Sequence, residues 1–348
     1  MNETGFGIIG CGAMAAYHLS GIRNAQNAKI IAVADTISFK AEKFAKEHNI
    51  PAWYTDYRKL LNRLDIEIVC ICTPSGLHSD IAIEAAKAGK HIICEKPIET
   101  TLPAADRMIN AAEQAKVKLG IVNQWRTYDT LQKVRQAVQE GWLGKMVLGD
   151  AYLKYYRAQG YYDSAVWRGT WAMDGGGVLM NQGIHGIDML PWIMGDIDTV
   201  YAKATHLVRN IEAEDTAVVA VSYKSGAYGT IIGTTAAFPA AASQLEFHGE
   251  WGTILMEEQT IKKWVVLGRD GNQKDMTPQV DSATISETTE SNHHDTIGHQ
   301  KIIRNMLDVL RYNQELYCSG IEGRKTVELI LAIYESAKTG TEIKLPLS

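Results

Sequence analysis

The sequence predicts two domains, an α/β domain built as a doubly wound parallel sheet and a C-terminal α+β domain with a mostly antiparallel open sheet. Three observations carry this. At 348 residues the chain exceeds what one hydrophobic core usually fills. Its first third alternates short apolar runs with helical patterns, as strand-helix-strand units do. Near Asn123 that alternation gives way to aromatic-rich strands, which places a domain boundary between residues 1–122 and 123–348.

In the first domain GFGIIG, IIAVAD, EIVCICT, HIICEK and KLGIV read as strands. Between them Ala41, Phe44, Ala45 and His48 recur at helical spacing, and Ala105, Met108, Ile109 and Ala112 do so after Pro103, a residue tolerated in a first helical turn. The run ending at Gly89 stops where a C-cap glycine sits. A helix carrying Leu131, Val134 and Val138 closes at Gly141. From Met146 to about Leu267, segments such as VLGDAYLKYY, TVYAKATHLV, TAVVAVSYK and AYGTIIGTTA carry the alternation and β-branched residues of antiparallel strands. Residues 268–300 are polar and rich in turn formers, which predicts a surface loop or partly disordered excursion. Two helices close the chain, one with a stripe of Ile303, Met306, Leu307 and Leu310, the other with Val327, Ile330, Leu331 and Tyr334.

Composition narrows the function classes. Apolar residues make up 46%, charged residues 22%, and the net charge is -5 without any basic block, so a nucleic-acid partner is not expected. No basic leader and no stretch of roughly 18 apolar residues appears, so neither a membrane span nor export is expected, and the location is taken as cytoplasmic. Five cysteines sit mostly in apolar runs; Cys70 and Cys72 read as buried thiols rather than metal ligands. His293, His294 and His299 fall in the polar excursion and read as solvated loop histidines, so no metal site is expected. Ser75 and Ser164 lack a base at any recognisable spacing, which leaves nucleophilic hydrolysis without support.

Gly10-Cys11-Gly12-Ala13-Met14-Ala15 fits G-x-G-x-x-A between a strand and a helical stretch. Gly10 allows a tight turn, Gly12 lets backbone amides of the loop and of Ala13 and Met14 approach a pyrophosphate, and Ala15 lets helix and strand pack closely. Asp35 ends the next strand about 20 residues on, where a carboxylate accepts the ribose hydroxyls and repels a 2'-phosphate. The pattern therefore describes a Rossmann domain that binds NAD in preference to NADP. The competing reading has Asp35 merely capping the helix after the second strand.

Together with Thr73-Pro74-Ser75, His78, Glu95-Lys96-Pro97 and the later run Asp174 to Asp188 (DGGGVLMNQGIHGID), these motifs resemble the glucose-fructose oxidoreductase / inositol dehydrogenase / rhizopine catabolism family, Gfo/Idh/MocA, over nearly the whole chain. The resemblance implies that Thr73, Pro74, His78, Glu95 and Lys96 contact the cofactor. It implies that His185 acts as proton acceptor and that Lys96 orients or polarises the reacting hydroxyl. Chemistry agrees: oxidising a secondary alcohol requires removal of the hydroxyl proton as hydride leaves. A lysine beside a cationic ring in a partly dry pocket has its charge disfavoured. The plain alternatives are a surface lysine and a structural histidine.

His185 lies four residues after Asn181, so on one helix starting after Gly175-Gly176-Gly177 both side chains share a face. Many polyol-oxidising relatives carry Asp where this chain has Asn181, which points toward the branch acting on modified hexoses. Asp188 reads equally as a core-linking residue and a substrate contact. Aromatic residues crowd Tyr152 to Trp171; they read either as packing or as a carbohydrate platform, with Tyr162 or Trp167 against a sugar face and Arg157 or Arg168 reading hydroxyls, carboxylate or phosphate. Asn123 is a further candidate substrate contact.

The combined reading is an NAD(P)-dependent dehydrogenase of CH-OH donors, NAD preferred, acting on a sugar, polyol or sugar derivative and assembled as a homodimer or homotetramer. A sugar-nucleotide 3-dehydrogenase holding its cofactor tightly is one alternative. A non-catalytic regulatory protein that binds NAD or a sugar is the other.

Overall fold

A computed structural model describes residues 3–268, 270–278 and 291–347, the side chains of 291–295 excepted. Two compact units emerge: Met1–Thr127 with Thr288–Lys325, and Tyr128–Glu287 with Thr326–Ser348.

The first unit is built on β1 (Thr4–Ile9), α1 (Ala13–Asn24), β2 (Ala28–Ala34), α2 (Ser38–Glu47), β3 (Ala52–Tyr54), α3 (Tyr57–Leu61), β4 (Ile68–Ile71), α4 (His78–Lys87), β5 (His91–Cys94), α5 (Leu102–Gln114) and β6 (Leu119–Ile121). The strands form one parallel sheet in the order β3-β2-β1-β4-β5-β6. Every residue of β1 is buried, as expected of a central strand covered on both faces. The strand order reverses between β1 and β4, and ligands of such sheets bind beyond the carboxyl ends of the strands at that point. The short β3 and α3 escape a periodicity reading because neither spans enough residues to repeat.

The second unit contains α6 (Asp129–Gln139), β7 (Met146–Lys154), α7 (Gln159–Asp163), α8 (Ile184–Met194), β8 (Ile197–Thr205), β9 (Thr216–Tyr223), β10 (Tyr228–Thr234), β11 (Gln244–Gly249), β12 (Gly252–Glu257), β13 (Thr260–Leu267) and β14 (Gln273–Asp275), then, from near the C-terminus, β15 (Ile343–Lys344). Nine strands lie in the order β14-β13-β12-β11-β7-β10-β9-β8-β15, antiparallel except for the pairing of β7 with β10. Alternate residues of this sheet, among them Ala151, Leu153, Val219, Ile231 and Phe247, are buried. Gly186 of α8 lies close to Leu153 on that inner face.

Two helices follow, α9 (Ser291–Tyr312) and α10 (Gly320–Thr339), where the two C-terminal apolar stripes place them. The polar segment 268–300 departs from its reading as a loop at both described ends. Gln273–Asp275 adds an edge strand to β13, and helix begins at Ser291. Residues 279–290, and the side chains of His293 and His294, lie outside the described residues. Ile302, Ile303, Met306 and Leu307 of α9 join Phe6, Ile8, Ile22, Val33 and Ile93 in one apolar core. Helix α9, assigned from sequence to the second domain, thus packs with the first unit. Among the described residues no helix is long and apolar enough to cross a membrane.

Candidate functional site

The loop between β1 and α1 has the shape that its glycines require. Gly10 adopts φ +96°, and a Cβ there would stand 2.6 Å from the Cys72 carbonyl oxygen, so no other residue fits. Gly12 is the N-cap of α1 without a side-chain cap, and a Cβ on it would meet nothing within 4 Å. The glycine therefore leaves open space beside the helix N-terminus, where the first-turn amides of Ala13 and Met14 lack helical partners and no acidic side chain intervenes. Asp35 completes the arrangement: its Oδ2 accepts the Cys11 N–H at 2.9 Å and its Oδ1 accepts the Ile37 N–H at 2.9 Å. Asp35 thus serves the loop and the entry to α2 together, and a carboxylate retains lone pairs for ribose hydroxyls after accepting two such bonds. Open space, unpaired amides and this carboxylate fit a dinucleotide.

The turns after β4 and β5 are tied together by His78. Its Nδ1 lies 2.9 Å from the Pro97 carbonyl oxygen and its Nε2 3.0 Å from that of Thr73, with the ring fully buried. His78 therefore braces the turn that carries Lys96 against the turn that carries Thr73 and Pro74, and acts through backbone carbonyls. The Thr73 hydroxyl is buried and has no hydrogen-bond partner among the described residues. Lys96 itself is half-buried.

Glu95 departs from the cofactor-contact reading. Its Oε1 receives His18 Nε2 at 2.8 Å and His299 Nε2 at 3.0 Å, and all three side chains are buried. Burial acts to raise the Glu95 carboxyl, but the two histidine contacts hold it well below the usual carboxylate range. Burial pushes the His18 imidazole down. The three ligand-type atoms lie within 4.8 Å of one another. His18 Nδ1 is buried without a partner, whereas a metal-bound imidazole ordinarily donates its second N–H, so the geometry reads as a hydrogen-bonded ion pair. His299 is thus no solvated loop histidine. The signal lay in the stripe: His299 precedes Ile303 and Met306 by helical steps, as His18 falls among Ala15, Leu19 and Ile22. Asn123 is buried in the same unit, its Nδ2 toward Cys318 Sγ at 3.5 Å.

In the second unit α8 begins at Ile184, so Asn181 and His185 do not share one helix as their spacing predicts. Asn181 stands in the preceding turn, its N–H bonded to Gly177 O at 3.0 Å, and its Nδ2 donates to Asp174 Oδ1 at 2.8 Å. Asp174 also accepts the Gly169 N–H at 2.8 Å. The glycine run delays the helix because Gly175 and Gly176 take positive φ. Beneath that run lies Glu214, which the sequence reading missed. It accepts N–H groups from Gly177 and Leu179, each at 2.9 Å, and the Tyr334 hydroxyl at 2.9 Å. Burial pushes its carboxyl up to about 7 against those bonds. Asp188 is fully buried and accepts the Thr326 hydroxyl at 2.6 Å, which assigns it the core-linking role.

Among the aromatic residues, Tyr162 is buried, its hydroxyl 2.7 Å from Thr235 Oγ1, and so serves packing. Its neighbour Tyr161 carries the arginines instead: Arg168 lies 4.2 Å and Arg157 5.4 Å from the Tyr161 ring centroid. Arg168 also lies 4.8 Å from the half-buried Trp167 ring.

Residues 4–123 match the family described as "Oxidoreductase family, NAD-binding Rossmann fold", and residues 131–255 match the GFO/IDH/MocA C-terminal domain. The chain is similar to the WlbA dehydrogenase of Bordetella pertussis, crystallised with NADH and UDP-GlcNAcA, at 32% identity and a TM-score of 0.87 over 100% of both chains. The WlbA dehydrogenase of Chromobacterium violaceum, in complex with the same two ligands, matches at 31% identity and a TM-score of 0.88 over 100% of this chain and 97% of that one. Myo-inositol 2-dehydrogenase of Thermotoga maritima is 28% identical over 280 residues, 77% of this chain and 79% of that protein.

Proposed function

Because this chain belongs to the Gfo/Idh/MocA family of NAD-binding oxidoreductases, we propose that it oxidises a secondary hydroxyl of a sugar, polyol or sugar derivative with NAD as the acceptor. The observation that carries the reading is the loop at Gly10 and Gly12, with open space at the α1 N-terminus and the Asp35 carboxylate bonded to the loop itself. NAD, when bound, supplies the hydride acceptor.

The chain's own residues supply the rest. The Gly12 loop and the first-turn amides of Ala13 and Met14 receive the pyrophosphate, and Asp35 receives the ribose hydroxyls. Lys96, on a turn braced by His78, polarises the reacting hydroxyl. His185 takes the hydroxyl proton as the C–H bond breaks, and Asn181, its amide oriented by Asp174, accepts a hydrogen bond that fixes the substrate. Following the absorbance of reduced nicotinamide against a panel of sugars and sugar derivatives tests the reading. Lys96→Met should abolish turnover yet spare NAD binding, and undiminished turnover in that variant would overturn the role of Lys96.

Similarity to two dehydrogenases crystallised with NADH and UDP-GlcNAcA favours a narrower version, a sugar-nucleotide dehydrogenase that holds its cofactor through repeated cycles. NADH surviving purification supports it.

The outer face of the nine-stranded sheet supports the expected assembly. Leu148, Tyr201, Val218 and Tyr228 share that face at 40%, 43%, 52% and 64% exposure, and a row of such residues favours a homodimer or homotetramer through it. Light scattering on Val218→Asp should report a smaller species than the parent. Five cysteines without disulfides support a reducing, cytoplasmic location.

A further inference from the structure

Arg157, Arg168 and Arg209 of the second unit gather on two tyrosines, and among the described residues no carboxylate pairs with them. Arg157 and Arg168 share the Tyr161 ring, and the Arg209 guanidinium lies 5.1 Å from the Tyr156 ring centroid. One carbonyl joins two of the three: Thr235 O accepts the Arg157 N–H at 2.9 Å and Arg209 Nη2 at 3.5 Å. Among the described residues, the hydrogen-bond acceptor of each guanidinium is a neutral oxygen, of Tyr156, Tyr161 or Thr235. Neighbouring acids are engaged elsewhere. Gln159 binds Asp163, the Trp171 N–H binds Glu212, and the N–H groups of Leu207, Val208 and Arg209 bind Asp215.

All three arginines are half-buried, so their charges are partly withdrawn from water while remaining unpaired. A guanidinium has five N–H donors, and stacking on a tyrosine holds its plane while leaving the donor edge exposed to a planar or tetrahedral oxyanion. Three such groups in one region disfavour one another until an anion joins them. The cluster also meets the substrate segment: Tyr161 accepts Gln182 Nε2 at 3.1 Å, and Gln182, whose buried Oε1 has no partner, directly follows Asn181.

We propose that Arg157, Arg168 and Arg209 form an oxyanion subsite that receives a diphosphate or a carboxylate of the substrate. The substrate is then an anionic sugar derivative, and a neutral polyol lacks the group that this subsite binds. The inference rests on the oxidoreductase reading for the identity of the reacting part, while the subsite itself is testable without turnover.

Calorimetry on the full chain with NAD present uses UDP and glucuronate as separate probes. Binding of UDP without binding of uridine identifies the diphosphate as the recognised group, and binding of glucuronate without binding of glucose identifies the carboxylate. Arg168→Gln and Arg209→Gln should each weaken that binding about tenfold or more, while Arg168→Lys, which keeps the charge but loses the fork, should recover only part. Thermal unfolding of each variant establishes that it is folded. If neither probe binds, or if folded variants bind unchanged, the subsite is overturned. In turnover, Arg168→Gln should raise KM for an anionic sugar about tenfold with kcat little changed, and an equal effect on a neutral sugar also overturns the proposal. Loss of the oxidoreductase reading would show separately, as no reduction of NAD by the parent protein with any sugar tested while probe binding stays intact.

Discussion

The Cys11 N–H and the Asp35 carboxylate, 24 residues apart in sequence, meet at 2.9 Å. One acidic side chain therefore shapes the phosphate loop and, in the proposed function, presents the charge that selects the cofactor. Asp35→Ala should raise KM for NAD about ten- to hundredfold, since hydrogen bonds to a charged group are lost. Relative activity with NADP should rise because the repulsion of a 2'-phosphate is gone. Steady-state kinetics with both cofactors measures the ratio, and an unchanged ratio would remove Asp35 from cofactor choice.

Asn181 Nδ2 and Asp174 Oδ1 are 2.8 Å apart, so the residue at position 181 sets the charge of the pair. Asn181→Asp sets two carboxylates against each other and raises the proton affinity of the pair. The variant should lose about 2 kcal/mol of stability at neutral pH. The loss should shrink in acid, where the pair holds a proton. Urea unfolding at pH 5 and pH 8 distinguishes this from a pH-independent defect.

Glu214 lies under the glycine run with its carboxyl raised from 4.5 to about 7 by burial. A raised acid favours the folded state fully below its unfolded value, and the contribution is lost as pH rises toward about 7. That change amounts to about 3 kcal/mol. Melting temperature should therefore decline across this window in the parent protein, and Glu214→Gln should flatten the decline. An unflattened profile would assign the pH dependence to another group.

Glu95 behaves in the opposite sense, because His18 and His299 hold it low. Its stabilisation is present above the ordinary carboxylate range and lost as pH falls through the depressed value. His299→Ala should cost about 3 kcal/mol at neutral pH by leaving a buried charge partly uncompensated. Adding Glu95→Gln should recover part of that loss, as a double-mutant cycle by denaturant unfolding would report.

The first unit was legible because each of its signals is local: a strand, a glycine loop and an acid follow one another within 32 residues from Thr4 to Asp35. The parallel sheet and the cofactor follow from those signals. Glu214, His18 and His299 were not legible as partners, since each bond joins residues that only the fold brings together. The helix at Asn181 was misread because a four-residue spacing suits a single turn as well as a helix. The arginines were visible at 157 and 168, but Tyr161 looked no different in sequence from Tyr162, and Arg209 arrives from another loop.

Because Ile302, Ile303, Met306 and Leu307 close the apolar core that Phe6 and Ile8 begin, the first unit is assembled from two stretches of chain with β7 to β14 lying between them in sequence. During synthesis the nucleotide-binding half must therefore wait, its greasy flank uncovered, until α9 has been translated. A fragment ending at residue 127 should emerge from the ribosome lacking that lining and aggregate, while co-expressing residues 288–325 should restore a soluble partner.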